Sequence, residues 1–486
     1  VVLGRDQPGA RLSGLGLFDL AADLGGGDRA AGLGARLGRA AAGDAGWRGA
    51  GRGIDANLAL LLVFAGLLLL GTPIAVALGV GGVVGILLGL DLAALGTVGT
   101  NTWSAIAKYP LIAIPLFILT GMVFERSGVA GRLVTFAEAC IGPRRGGLAL
   151  VAVLVCLIMG GMSGSGPADA AAVATVLIPS MLKAGYPRPF SAAVIAASAS
   201  TAILIPPSIA LIVYSVLVPG TDLRALFAAG LLPGLLVGLA IGVPVVLLCR
   251  RHGFGEVEAG AVRPAFWASL GRAAPGLLAP VIILGGLRSG LFTPTETAVV
   301  AVFYGLFVGT VVYRTLGWRD IYELLVEAAK ISAVLLLIIS LAGIFAWAGS
   351  TLGAFRLAAA GLMGVSESQW VILLLVVALL LFAGMVLDGV SIYLITLPLL
   401  VPIAQAFGWS FVWFGVVMAI TVAIGQVTPP VAINLMVTAR IAEVPLEATF
   451  RWIGWLLLAM AAALGCVVVF PEIALWLPRI LGYRIT

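Results

Sequence analysis

Three stretches of this chain, residues 192–219, 331–355 and 452–470, run without one charged side chain. A membrane-spanning helix needs about 20 apolar residues, and a helix satisfies every backbone hydrogen bond within its own segment when water is absent. The whole sequence follows suit. It is 61% hydrophobic and only 10% charged, with a mean hydropathy of +1.16, against about 25% charged residues in soluble domains. An all-α polytopic membrane protein with room for about ten to fourteen helical segments is therefore expected.

The same composition removes other classes. The net charge of +6 collects in short loops, where Lys and Arg set orientation in the bilayer, and does not mark a nucleic-acid surface. Cys140, Cys156, Cys249 and Cys466 are scattered, and His252 is the only histidine. A His/Cys metal centre and a cofactor-dependent site are not expected. Residues 1–55 differ from the rest: seven arginines face six aspartates, with no lysine and no sustained apolar run. That segment reads as a low-complexity, disordered leader without a signal-peptide pattern.

Within the apolar part, a helix-breaking pattern occurs twice at an offset of 223 residues. Gly161-Met162 recurs as Gly384-Met385, Ser165-Gly166 as Asp388-Gly389, Pro179 as Pro402, Gly185 as Gly408, and Pro206-Pro207 as Pro429-Pro430. Residues 56–250 form a first half, 251–273 a basic linker expected in the cytoplasm, and 274–486 a second half. Residues 148–182 have basic residues at both ends (Arg145 and Lys183) and a Gly/Ser-rich middle, which suits a hairpin entering and leaving on one side. The equivalent 370–407 has no basic residue at its ends and should open on the other side. Matching elements of opposite orientation make an inverted repeat. Broken helices at membrane depth mark a substrate cavity, because unpaired backbone is tolerated only where it is buried or lines water.

Four clusters carry polar chemistry. The first tip holds Ser163, Gly164, Ser165, Gly166 and Asp169; the first break holds Ser200, Thr201, Pro206 and Ser208. The second tip holds Asp388, Gly389 and Ser391; the second break holds Gln426, Thr428, Pro429 and Asn434. Glycines and prolines free carbonyls from helical bonding, and carbonyl and hydroxyl oxygens are hard ligands suited to Na⁺. The helix N-termini after each tip offer unpaired N–H groups to a carboxylate. Ser163, Ser165, Gly166, Asp169, Ser208, Asp388, Gly389, Ser391 and Asn434 are the candidates for substrate. Ser163, Gly164, Ser200, Thr201, Pro206, Asp388, Gln426, Thr428 and Pro429 are the candidates for Na⁺. No arginine lies in any cluster to clamp a carboxylate. Glu296, by contrast, sits in Thr293-Pro294-Thr295-Glu296, a capping-box pattern that starts a helix.

Gly161-Met162-Ser163-Gly164-Ser165-Gly166, Ile205-Pro206-Pro207-Ser208, Thr293-Pro294-Thr295-Glu296 and Thr428-Pro429-Pro430 occur in an order that resembles the large membrane subunit of tripartite ATP-independent periplasmic (TRAP) transporters. The resemblance covers roughly residue 57 to the C-terminus. It implies an elevator-type, Na⁺-driven importer of small organic acids in the bacterial inner membrane. It also implies a small four-helix membrane subunit, expected as a separate chain, and a periplasmic binding protein that delivers substrate. A stand-alone ion-coupled dicarboxylate transporter of the same two-hairpin plan is the alternative. A membrane-embedded enzyme finds little support, since no HExxH, GxSxG or Walker motif is present.

Overall fold

The computed structural model describes residues 50–90, 92–255 and 263–485, with side chains from Ala56 onward. The expected leader falls outside the described residues up to position 49, as do residues 256–262 of the expected linker. Residues 50–55 belong to the first helix. Among the described residues the secondary structure is helical, with no strand.

The first half contains α1 (Ala50–Leu69), α2 (Ile74–Gly89), α3 (Gly96–Ile106), α4 (Ala113–Arg126), α5 (Val129–Ile141), α6 (Gly147–Ser163), α7 (Gly166–Lys183), α8 (Arg188–Ala199), α9 (Ile209–Leu217) and α10 (Leu223–His252). The second contains α11 (Phe266–Arg288), α12 (Pro294–Phe307), α13 (Trp318–Leu352), α14 (Ala354–Met363), α15 (Gln369–Gly384), α16 (Gly389–Ala406), α17 (Phe411–Gly425), α18 (Ile433–Ile441), α19 (Phe450–Val469) and α20 (Glu472–Ile480). Adding 223 to the bounds of α7 reproduces those of α16, and α8 and α10 start 223 residues before α17 and the 3₁₀ turn Leu446–Thr449 that opens α19. The offset seen in a few Gly and Pro residues thus extends to element boundaries in both halves.

Two boundaries differ from the apolar pattern for local reasons. Residues 103–124 read as one helix, yet α3 stops at Ile106, a 3₁₀ turn runs Tyr109–Ile112, and α4 starts at Ala113. Pro110 lacks an N–H and Lys108 is extended, so the helical ladder cannot continue. Conversely, α13 begins at Trp318, well before the uncharged run. Its first turns carry Arg319, Asp320, Glu323, Glu327 and Lys330, which hydropathy alone assigns to a loop. They serve the helix locally: the Asp320 carboxylate accepts the Gly317 N–H at 2.9 Å, and Glu323 meets Arg126 of α4 at 3.2 Å.

The elements pack as two groups. In the first, α13 runs against α2, α3 and α4, α1 packs on α2, and α12 packs on α4 and α11. The second brings together α6 to α10 and α15 to α19. Its internal contacts repeat across the halves: α6 packs on α8 as α15 packs on α17, and α7 packs on α18 as α16 packs on α9. The second arm of each hairpin therefore lies against the distal segment of the other half's broken helix. Helices α5 and α14 join the two groups. Seven helical stretches among the described residues are long and apolar enough to cross a membrane, among them residues 223–252 and 318–352. The hairpin arms α6, α7, α15 and α16 have 17, 18, 16 and 18 residues. At 1.5 Å per residue they rise about 24–27 Å, close to the roughly 30 Å hydrocarbon core, and α16 is one of the seven stretches.

Candidate functional site

In the first half, Gly164 turns the chain in the left-handed region (φ 60°), Ser165 is extended, and α7 starts at Gly166 with Pro167 in its first turn. Pro167 costs nothing there because the first N–H groups of a helix have no partner. The Ser165 N–H donates to Ser163 Oγ at 3.2 Å. The tip abuts the middle of the α8–α9 pair. A Cβ on Gly164 would run into the Pro207 carbonyl oxygen, and one on Gly160 would lie 2.8 Å from Ala202 Cα. These glycines are there because backbone meets backbone.

Pro206-Pro207 and Pro429-Pro430 interrupt α8–α9 and α17–α18, and both are cis. Pro207 has no N–H to offer the carbonyl four residues back, Ile203. The Ser208 hydroxyl supplies that bond at 2.5 Å, while its oxygen accepts the Leu211 N–H at 3.3 Å and caps α9. Pro430 leaves the carbonyl of Gln426 in the same position, and the Asn434 N–H takes it at 3.2 Å. Ile203 and Gln426 are equivalent under the offset, so the same carbonyl is rescued in each half, by a hydroxyl in one and a backbone amide in the other. Ser200 and Thr201 donate to Ala197 and Ser198 carbonyls at 2.7 Å, and Thr428 to that of Ile424 at 2.7 Å. With their protons engaged, these hydroxyl oxygens keep lone pairs free.

In the second half, α15 ends at Gly384 and Asp388 N-caps α16. Its carboxylate accepts the Val390 and Ser391 N–H groups at 3.1 and 3.2 Å and the Ser391 hydroxyl in a short bond. Asp388, a candidate for both substrate and Na⁺, is held locally in this way because an extended Asp preceding a helix accepts from the first free N–H groups. Here too the tip meets a break: Gly384 and Gly425 pack backbone to backbone, and the Met385 carbonyl accepts the Val431 N–H at 3.3 Å.

The two tips and the second break converge on one amide. A Cβ at Gly166 would lie 2.8 Å from Asn434 Nδ2 and 3.2 Å from Gln426 Oε1. A Cβ at Gly389 would lie 3.5 Å from Gln426 Nε2. Among the described residues, Gln426 Oε1, both side-chain atoms of Asn434 and both oxygens of Asp169 are buried without a hydrogen-bond partner. Asp169 and Asn434 are 0% exposed and Gln426 4%. Buried polar atoms are otherwise almost always paired; the orphaned amides of Gln426 and Asn434 lie together beside Gly166, which marks that point for a ligand, and the Asp169 carboxyl lies one turn inside α7. Among the described residues, Asp169 is the only charged one whose side chain is buried. Ser163, Gly164, Ser200, Thr201, Pro206 and Ser208 thus gather at the first tip and break. Gly166, Gly389, Gln426 and Asn434 gather where the halves meet. Asp388 and Ser391 pair with each other at the second tip, and Pro429 lies beside Thr428.

Sequence reasoning missed the Met385 carbonyl, Gly121, which packs on Ser163, and Tyr393, whose buried hydroxyl lacks a partner and whose ring meets that of Tyr214 at 6.0 Å. Tyr393 left a signal, a single phenol one turn after a tip in an apolar run. Thr293 and Glu296 form the expected capping box, with Glu296 accepting the Thr293 N–H at 2.7 Å. Among the described residues no three His, Cys, Asp or Glu side chains gather to hold a metal ion; the oxygens on offer are hydroxyl, amide, carbonyl and one carboxylate.

Residues 61–473 match the family model for the DctM component of the tripartite ATP-independent periplasmic transporter. The chain is 39% identical over 375 residues to the C4-dicarboxylate TRAP transporter large permease protein DctM of Pseudomonas aeruginosa, covering 77% of this chain and 87% of that one. It is 38% identical over 379 residues to the sialic acid TRAP transporter large permease protein SiaM of Vibrio cholerae, covering 78% and 88%. Among solved structures, the YdaH transporter of Alcanivorax borkumensis superimposes with a TM-score of 0.59 over 86% of this chain and 99% of its own, at 17% identity, a likeness of fold.

Proposed function

The chain belongs to the DctM component family of tripartite ATP-independent periplasmic transporters, multi-pass permeases of the inner membrane and not enzymes, and on that premise we propose that it imports a small organic-acid anion driven by Na⁺. One observation carries the reading: two helix-breaking tips and a Pro-Pro break converge on Gln426, with orphaned oxygens of Gln426 and Asn434 there and the buried, unpartnered carboxyl of Asp169 one turn inside α7. A buried, unpartnered carboxylate costs on the order of several kcal/mol. A cation beside Asp169 removes that cost, and the hydroxyl lone pairs of Ser163, Ser200 and Thr201 extend the oxygen shell.

The substrate carboxylate has no buried Lys or Arg to meet among the described residues. Its partners are the amide of Asn434 and the Gly166 N–H at the start of α7, where the helix dipole favours an anion; the N-terminus of α16 is already taken by Asp388. Bound Na⁺ supplies the remaining positive charge, so substrate and cation bind as one unit. The relatives named for C4-dicarboxylates and for sialic acid are nearly equally similar, 39% and 38%. The proposed class is accordingly the carboxylate anion, with binding-protein delivery and a small membrane subunit as in a tripartite system.

In the same reading the hairpins are re-entrant and inverted. Each tip stops against the middle of a broken helix that is about 30 residues long from end to end, 188–217 and 411–441. The arms of one hairpin do not pack along those of the other, and their tips meet at Gln426. The tip-bearing group moves against the α1–α4 and α11–α13 group as an elevator. The test is uptake into proteoliposomes with the partner membrane subunit and a substrate-loaded binding protein. An inward Na⁺ gradient should drive accumulation, and choline in place of Na⁺ should abolish it. Equal uptake on a proton gradient alone refutes Na⁺ coupling.

A further inference from the structure

A cavity of about 290 Å³ lies between the two helix groups, away from the tips. One wall comes from α3, the following 3₁₀ turn and α13, including Asn101, Lys108 and Ala342; the other comes from α9 and α16, including Val213, Leu217 and Leu394. The lining is mostly apolar. Lys108 is its only cation. The Lys108 ammonium is exposed and spends one hydrogen bond on the Val216 carbonyl at 3.2 Å, which leaves donors for an anion. Flanking it, Trp103 and Tyr109 are 71% and 57% exposed. Trp103 near the end of α3, and Lys108 and Tyr109 on the turn that follows, are exposed residue types of the headgroup level of a bilayer, so the mouth of an apolar cavity opens where lipid headgroups sit.

We propose that this cavity takes one acyl chain of an anionic phospholipid, with the phosphate held by Lys108. Charge and size select the occupant: the ammonium at headgroup level favours an anionic over a zwitterionic head, and about 290 Å³ beneath takes part of one acyl chain and is too small for a second helix. Because its walls belong to both groups, the lipid bridges them. The inference rests on the membrane location, while any effect on movement rests on the elevator reading.

The probe is phosphatidylglycerol carrying a photoactivatable acyl chain, compared with phosphatidylethanolamine carrying the same chain, in vesicles containing the intact protein. Crosslinks should map to peptides around Asn101–Leu111 and Ile339–Ala346, about fivefold more with the anionic lipid, as one Lys near the membrane surface contributes. Lys108→Gln should erase the preference, and Ala346→Phe should erase crosslinking at these peptides. Equal labelling by both lipids in the unmodified protein, or crosslinks confined to other peptides, overturns the proposal whatever the variants do. The readout is binding, so its failure is separable from a failure of Na⁺-driven uptake.

Discussion

The two tips break the chain at matching places and fill the break with different chemistry. At the first, Gly164 must be glycine because a carbonyl occupies the space of its side chain, and the nearby carboxylate, Asp169, is buried without a partner. At the second, the equivalent position is Leu387, and the carboxylate, Asp388, is tied into the start of its own helix by three hydrogen bonds. The difference teaches that a repeat fixes where the backbone breaks, while the side chains decide which break is structurally complete and which still lacks a partner.

That comparison can be broken most forcefully at Gly164. Gly164→Val places a β-branched side chain at φ 60° against the Pro207 carbonyl. It should destabilise by about 3 kcal/mol or more and abolish uptake. Leu387→Ala, at the equivalent site, should cost about 2 kcal/mol and retain transport. Thermal unfolding alongside uptake reads both; a Gly164→Val protein with normal uptake would show that the tip does not press on the break.

Asp169→Asn comes next. Removing a buried orphan charge should raise thermal stability in Na⁺-free buffer and lower uptake by about 100-fold, a change of roughly 2.7 kcal/mol. If Na⁺ stabilises Asp169→Asn against heat as much as the parent, the carboxylate is not a cation partner. Gln426→Leu, which keeps the volume but removes the amide both tips touch, should lower uptake by about tenfold with little change in folding, because the orphaned oxygen is lost with it. Normal uptake would remove Gln426 from the site.

Asp388→Ala should act in the opposite sense to Asp169→Asn, losing about 1 kcal/mol of stability with the helix cap. Unchanged stability would mean that the cap bonds contribute nothing net. The smallest effect concerns Ala432, a buried alanine held at φ 50° between the second break and α18. Ala432→Gly should gain about 0.5 kcal/mol, because relief of a left-handed alanine outweighs the stability lost as the unfolded chain gains freedom. A loss of stability there would show that the Ala432 methyl group is needed for packing.

Much of this was legible in the sequence. Uncharged runs pointed to the helical membrane class, and paired Gly and Pro-Pro positions lie within a residue or two of the helix ends at Ser163 and Gly384 and of the interruptions at Pro206-Pro207 and Pro429-Pro430. The capping box at Thr293 to Glu296 was readable because it is local. What escaped was set by tertiary contact. Nothing in the residues near Asp388 and Asp169 says which carboxylate finds N–H groups and which finds none. Both are acids beside a Gly-rich turn, separated only by Asp388 standing directly before its helix and Asp169 lying one turn inside. The convergence of both tips on Gln426 joins residues more than 250 positions apart, and no period or motif records it. The charged start of α13 was lost for the converse reason, since hydropathy sees the span and not the helix that extends beyond it.

The central claim is that two re-entrant hairpins of opposite orientation meet at their tips. Single cysteines at Gly146 and Gly185, the bases of the first hairpin, and at Ser368 and Gly408, the bases of the second, on a cysteine-free background, test it with a membrane-impermeant maleimide applied from each side. The account predicts that Gly146 and Gly185 label from one face and Ser368 and Gly408 from the other. Labelling of Gly146 and Gly185 from opposite faces, or of all four from one face, would contradict it.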